Sequence, residues 1–284
     1  MIRRHEKAHA VNLMCRVLSV SRSGYYHWRS REASPTAQVR ERLDGQVKAA
    51  FEAERGRAGA RRLKRALRDD GVRAGRHQIA QSLKRQGLRA KAARKFKATT
   101  NSNHRLPVAP NRLNQDFTAR QPNQKWVSDI TYIDTHEGWL YLAVVMDLYS
   151  RTVVGWSMSE RMTAQLVCDA LTMAMFKRRR PQDVIVHSDR GSQYCSAQYQ
   201  ALLSQHHLIC SMSKKGDCYD NAAMESWNHS LKVEAIHGER FKTREQARQH
   251  VFEYIEVYYN RRRLHSTLGY LSPERFEQVN AKSA

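Results

Sequence analysis

The apolar positions of this chain change their period twice, and each change marks a boundary. Up to residue 98 they recur at three- and four-residue spacing, as in helices with one buried face. Val11 to Arg31 reads as two short helices around a Ser-rich turn. Leu13, Val17 and Leu18 are expected to face inward, and Ser21 or Ser23 to cap the second helix. Leu63 and Leu67 share a face of a later helix, Gly71 and Gly75 break it, and Ile79 and Leu83 share a face of the next. Residues 99–121, rich in Asn, Thr, Gln and Pro, show no period and read as a linker.

Beyond the linker the period shortens to two. Strands are expected near 125–134, 139–148 and 151–158, joined by turns at His136-Glu-Gly138 and Tyr149-Ser150, which makes an antiparallel meander. Thr163 then precedes a helix that Lys177-Arg-Arg-Arg180 and Pro181 end. A strand at Val184–Val186, a helix over 196–206, a strand at Leu208–Met212 and a helix from Ala222 follow. A last helix opens on a capping box of Thr243 with Gln246. The order β-β-β-α-β-α-β-α predicts an α/β fold, a mixed five-stranded sheet with helices on both faces, preceded by a small all-helical, helix-turn-helix-like region. The expected divisions are an N-terminal helical region over 1–55, a basic helical region over 56–98, the linker over 99–121, the sheet domain over 122–240 and a C-terminal helix with basic tail over 241–284.

Charge sharpens this division. The formal net charge is +22, and residues 1–120 carry 29 Lys and Arg against 9 Asp and Glu, leaving 20 against 18 for the remainder. A basic arm on a near-neutral body points to a polyanion, and double-stranded DNA is the expected partner. Around the apolar positions of 56–98 nearly every exposed site is basic. Arg61, Arg62, Lys84 and Arg85 are candidate phosphate contacts. Arg261 and Arg263, after the last helix, are either a backbone-contacting cluster or a plain basic segment. Five cysteines without a Cys-x-x-Cys pair fit a reducing compartment. No apolar segment is long enough to cross a membrane, so the expectation is a cytoplasmic, nucleoid-associated protein with no membrane partner.

Three carboxylates carry the candidate chemistry. Asp129 interrupts the strand Trp126-Val-Ser-Asp-Ile-Thr-Tyr-Ile133, Asp189 follows the strand ending His187-Ser, and Glu225 lies in the first turn of the helix from Ala222. Converged, they would hold hard divalent cations and leave positions for water and phosphate. With two ions Asp129 is expected to bridge, while Asp189 and Glu225 hold one each. Glu225, His229 and Lys232 form a polar stripe opposite Met224, Trp227, Leu231 and Ala235, so Lys232 can meet a DNA phosphate; an ordinary amphipathic surface helix has the same pattern. Asn221 is either a polar partner of the site or a cap. His187 either lines the site or packs in the sheet, and Asp147 suits a turn or ion pair. Such a site supports phosphodiester cleavage with strand joining; the alternatives are a structure-selective nuclease and a non-catalytic DNA-binding regulator.

Several stretches in fixed order also carry a resemblance. They are Trp126-Val-Ser-Asp-Ile-Thr-Tyr132, Asp147-Leu-Tyr-Ser-Arg-Thr-Val-Val-Gly-Trp156, His187-Ser-Asp-Arg-Gly-Ser-Gln-Tyr194, Asp220-Asn-Ala-Ala-Met-Glu-Ser226 and Tyr259-Asn-Arg-Arg-Arg-Leu-His-Ser-Thr-Leu-Gly-Tyr270. The chain resembles the OrfB transposases of the third family of bacterial insertion sequences, relatives of retroviral integrases. The resemblance implies an RNase-H-like integrase core and a DDE triad of Asp129, Asp189 and Glu225. It implies Mg²⁺, with Mn²⁺ able to substitute, and a basic residue seven positions after the glutamate, here Lys232, that meets the element end. The implied reaction is cleavage at insertion-sequence ends and strand transfer by a 3′-hydroxyl into target DNA, by a homo-oligomer. No sustained heptads are present, so the upstream-frame OrfA product is the expected partner or fusion.

Overall fold

The computed structural model describes residues 1–32, 34–91, 106–214 and 218–281, which form two units, Met1–Arg89 and Ala90–Ala284. In the first, α1 (Ile2–His5), α2 (Val11–Val17) and α3 (Arg22–Ser30) precede α4 (Pro35–Ala53), α5 (Ala60–Asp69) and α6 (Arg76–Arg85). Ser21 caps α3, its hydroxyl accepting from the Gly24 N–H at 3.0 Å. Leu63, Leu67, Ile79 and Leu83 are buried where α4, α5 and α6 pack together, as their spacing requires.

The inward face expected of α2 is not the observed one. Leu13, Val17 and Leu18 are 54%, 73% and 39% exposed. Cys15 is buried instead, with Ile2 and Tyr25, and Val11 and Met14 pack against them. On a helix of two turns a change of one position swings the buried face by about 100°, and here Tyr25 of α3 selects the side.

The second unit is built on β1 (Lys125–Ile133), β2 (Leu140–Asp147), β3 (Val153–Ser159), β4 (Ile185–Ser188) and β5 (Ile209–Met212). They form one sheet in the order β3-β2-β1-β4-β5. The β1–β2 and β2–β3 pairs are antiparallel, and the β1–β4 and β4–β5 pairs are parallel. Helices α7 (Ala164–Lys177) and α8 (Ala197–Gln205) cover one face with Trp126, Ala143, Val145 and Val186. Helices α9 (Ala222–Leu231) and α10 (Arg244–Phe252) cover the other with Val127, Leu142, Val144 and Met146. Both continue into π-helical turns, Lys232–Ile236 and Glu253–Tyr259, and α11 (Pro273–Ala281) ends the described chain.

Two close approaches fix these layers. A Cβ on Gly155 would collide with the Ala170 carbonyl oxygen and lie 2.7 Å from the Ala174 nitrogen, so only glycine lets α7 lie this near β3. Asn260 pins the far end, donating to the Val153 carbonyl and accepting from the Val153 N–H at 3.0 and 2.9 Å. The described part of the expected linker is packed, not free. Leu113 is buried in the core, and the Ser211 hydroxyl accepts from the N–H groups of Arg112 and Leu113. Polar composition marked this stretch as irregular, but Leu113, the packing of Ala109, Phe117 and Ala119 against the core, and the hydrogen bonds to Ser211 hold it.

Candidate active site

The alternation of β1 decides where Asp129 points. Val127 and Ile133 lie in the core layer under α9, so the two-residue period puts Asp129 on that face. The Asn228 amide of α9 donates to its Oδ2 at 2.8 Å, and the Ile130 N–H donates to Oδ1 at 2.9 Å. Asp189 follows β4, the parallel neighbour of β1, and the Gly191 N–H donates to its Oδ1 at 2.9 Å. Because β1 and β4 run parallel, the residues beyond the end of β4 stand beside the middle of β1, and both carboxylates line one cleft of about 550 Å³.

Their proximity is visible in their electrostatics. Burial first and the charge of Asp189 next push the Asp129 carboxyl up to about 7, with a further push from Glu225. The hydrogen bonds from Ile130 and Asn228 oppose this rise. Two carboxylates crowded this way hold a proton between them or share a cation.

Glu225 is exposed on the first turn of α9. Among the described residues no group of three His, Cys, Asp or Glu side chains is close enough to hold a metal ion; Asp129 and Asp189 share the cleft, and Glu225 acts on Asp129 through its charge. The donor set suits a hard cation all the same: two facing carboxylates, one carrying a raised proton affinity that a divalent ion relieves.

Lys232 departs from its expected place. It is buried, with its ammonium 4.6 Å from the centre of the Tyr132 ring. Burial lowers its pKa to about 8, against the upward pull of Asp129. The polar stripe of α9 therefore does not stay on an exposed face; at Lys232 the helix widens into its π-turn, and the side chain lies over an aromatic of the cleft. Asn228 was not singled out from the sequence. Its signal was available, because positions 225, 228 and 232 fall on one side of a helix.

Asn221 begins α9 without a side-chain capping bond, and its Oδ1 is buried with no hydrogen-bond partner. His187 is a sheet-packing residue: its ring nitrogens meet the hydroxyls of Ser211 and Ser213 at 2.8 and 3.2 Å, and burial lowers its pKa to about 4. Asp147 accepts from the N–H groups of Asn123 and Tyr149 and faces Arg178 at 3.6 Å, a turn and ion-pair role.

The basic candidates separate. Arg61 and Lys84 are exposed, Arg62 is partly exposed, and Arg85 is paired with Asp44 through two hydrogen bonds. Arg261 is exposed in a surface pair with Glu274. Arg263 is not available to a DNA backbone. Its guanidinium grips buried Glu234 through two bonds of 2.8 Å, also donates to Ser230, and packs against Tyr259. A run of arginines gives no sign of which one a buried carboxylate will claim.

The integrase core domain family matches residues 119–218, a second integrase core domain family matches 225–280, and an HTH-like domain family matches 38–96. The transposase InsF of insertion sequence IS3A from Escherichia coli K12 is 57% identical over 281 residues, covering 98% of each chain. The 31 kDa protein of insertion element IS600 from Shigella sonnei is 50% identical over 265 residues, covering 93% of this chain and 97% of its own. Among solved structures, the simian T-cell lymphotropic virus intasome bound to a PP2A regulatory subunit superposes with a TM-score of 0.48 at 16% identity, covering 82% of this chain and 74% of that one. With its RNase-H-like integrase core and helical, HTH-like front region, the chain belongs to the IS3 family of insertion-sequence transposases, DDE polynucleotidyl transferases that cut and join DNA.

Proposed function

We propose that Asp129, Asp189 and Glu225 are the three acids of this transposase, that Mg²⁺ or Mn²⁺ is its metal, and that Asp129 is the shared ligand. One observation carries this reading: Asp129 and Asp189, from adjacent parallel strands, line the same cleft and raise the proton affinity there. Bound divalent ions would activate the attacking oxygen and stabilise the leaving one. The chain's own part is positional. Asn228 and the Ile130 amide hold Asp129 by separate oxygens, and the Gly191 amide orients Asp189. Glu225 is presented on the helix that already touches Asp129 through Asn228. Lys232, whose ammonium is near enough to feel Asp129, supplies positive charge for a phosphate at the element end.

In this reading the substrate is double-stranded DNA, gripped through its phosphates by the basic helical region with Arg61, Arg62 and Lys84 foremost. Arg85 and Arg261, each already paired with a carboxylate, are subsidiary contacts, and Asn221 is a polar partner at the start of α9. The boundaries 1–55, 56–98, 99–121, 122–240 and 241–284 are the proposed functional divisions. The upstream-frame OrfA product is the proposed partner or fusion, the working form is a homo-oligomer on DNA, and the place of action is the cytoplasm at the nucleoid. None of the described helices is long and apolar enough to cross a membrane.

The test is incubation of the chain, alone and fused to the upstream product, with labelled element-end duplex and Mg²⁺. Joined products are expected. Asp129→Asn should abolish cutting and joining and leave duplex binding near that of the parent. Cleavage that never proceeds to joining would make the protein a nuclease, and binding without either would make it a regulator.

A further inference from the structure

The cleft that holds Asp129 and Asp189 has a second wall that acid chemistry does not explain. Tyr132, Trp139, Tyr141 and Met162 line it beside the two carboxylates. Trp139 is 48% exposed, although a ring of that size is normally covered. It meets Tyr132 edge to face, with ring centres 4.8 Å apart and planes at 82°. The ammonium of Lys232 lies over the Tyr132 ring. The result is an aromatic surface with a cation at one margin and two carboxylates at another.

Geometry fixes Trp139 there. It immediately precedes the return strand β2, whose first residue Leu140 pairs with Ile133 across the hairpin. Its carbonyl accepts from the Arg244 guanidinium at 3.2 Å, which anchors the backbone while the ring faces the cleft. An anchored backbone with an exposed indole suits a platform for a flat ligand better than it suits a fold element.

We propose that this wall is a stacking site for a single unpaired nucleobase of the strand being cut, adjacent to the phosphate that Asp129 and Asp189 address. The inference rests on the DNA-cleaving reading of the same cleft and deepens it. A base inside a duplex has both faces covered by its neighbours, so an internal base must leave the stack before it can present a face to Trp139. Stacking needs no base-specific hydrogen bonds, so this site selects for the unpaired state and not for sequence. A phosphate on the same nucleotide falls toward Lys232. The cleft thereby favours ends whose terminal pair opens easily.

The probe is a duplex carrying a one-nucleotide 2-aminopurine overhang, compared with the same duplex blunt, each titrated with the full chain in Ca²⁺. Quenching of 2-aminopurine is expected with the parent and with Trp139→Phe, and is expected to be lost with Trp139→Ala. The preference for overhang over blunt duplex should fall on the order of tenfold in Trp139→Ala, from the loss of one base–aromatic stack. Blunt-duplex affinity should fall less than overhang affinity, since phosphate contacts dominate it. Absence of quenching with the parent, or equal quenching with Trp139→Ala, would overturn the proposal. The result is independent of catalysis: quenching without any cleavage in Mg²⁺ would sink the cleavage reading alone, and cleavage without quenching would sink the stacking site alone.

Discussion

Asp129→Asn separates the charge of this site from its shape. In the folded chain, burial and the neighbouring carboxylates raise the Asp129 pKa from 3.8 to about 7. The folded state therefore binds more protons than the unfolded state between those two values, and stability falls as pH rises through that window. At about 1.4 kcal/mol per tenfold, the full rise corresponds to roughly 4 kcal/mol once pH exceeds 7. Asparagine never ionises. It keeps an acceptor for the Ile130 N–H, and the Asn228 amide can rotate to meet its new donor. The pH-dependent part of the difference does not depend on how well asparagine packs. Working from the same values, the variant's advantage over the parent should grow by roughly 2–3 kcal/mol between pH 5 and pH 8. The assay is urea unfolding of the full chain in EDTA, followed by tryptophan fluorescence, with buried Trp126 and Trp227 as core reporters. Adding Mg²⁺ at pH 8 should restore the parent and leave the variant unmoved. Parallel stability curves for the two proteins across this range would refute the argument, because they would mean that Asp129 ionises freely in the fold.

Three further outcomes are expected. Gly155→Ala places a methyl group against the Ala170 carbonyl and Ala174, so it should cost at least about 1–3 kcal/mol in urea unfolding, with α7 displaced; an unchanged midpoint would show that α7 is free to move away. Arg263→Met removes the cationic partner of buried Glu234, leaves it the Tyr254 hydroxyl, and should cost about 3–5 kcal/mol, while adding Glu234→Leu should recover most of that loss; a double variant as unstable as the single would count against the pair. Asn228→Ala removes one hydrogen bond from Asp129 and should lower cleavage about 10–100-fold without changing duplex affinity, with Asn228→Gln no substitute because its amide sits one methylene too far out; activity equal to the parent's would show that the Ile130 amide alone suffices to orient Asp129.

Local pattern determined much of this protein. The antiparallel pairing of β1 with β2, the capping residues Ser21 and Thr243, and the apolar stripe Met224, Trp227, Leu231 and Ala235 all appear where the sequence pattern puts them. Such features depend on a few neighbouring residues, so a linear sequence suffices to show them. Asp129, Asp189 and Glu225 stand out as candidates in the sequence, because carboxylates at a strand centre, a strand end and a helix start have no local reason to be there; the structure brings Asp129 and Asp189 into one cleft. What only the tertiary structure decided is which of several equivalent residues meets a partner far along the chain. Tyr25 chooses Cys15 over Leu13 and Val17 as the inner side of α2. Glu234 claims Arg263 and leaves Arg261 on the surface. Parallel pairing of β1 with β4 brings Asp189 to Asp129, and α9, laid across that face, adds Asn228 and turns Lys232 over Tyr132. Each of these choices is a long-range contact, and its free energy depends on a partner whose position no local spacing encodes.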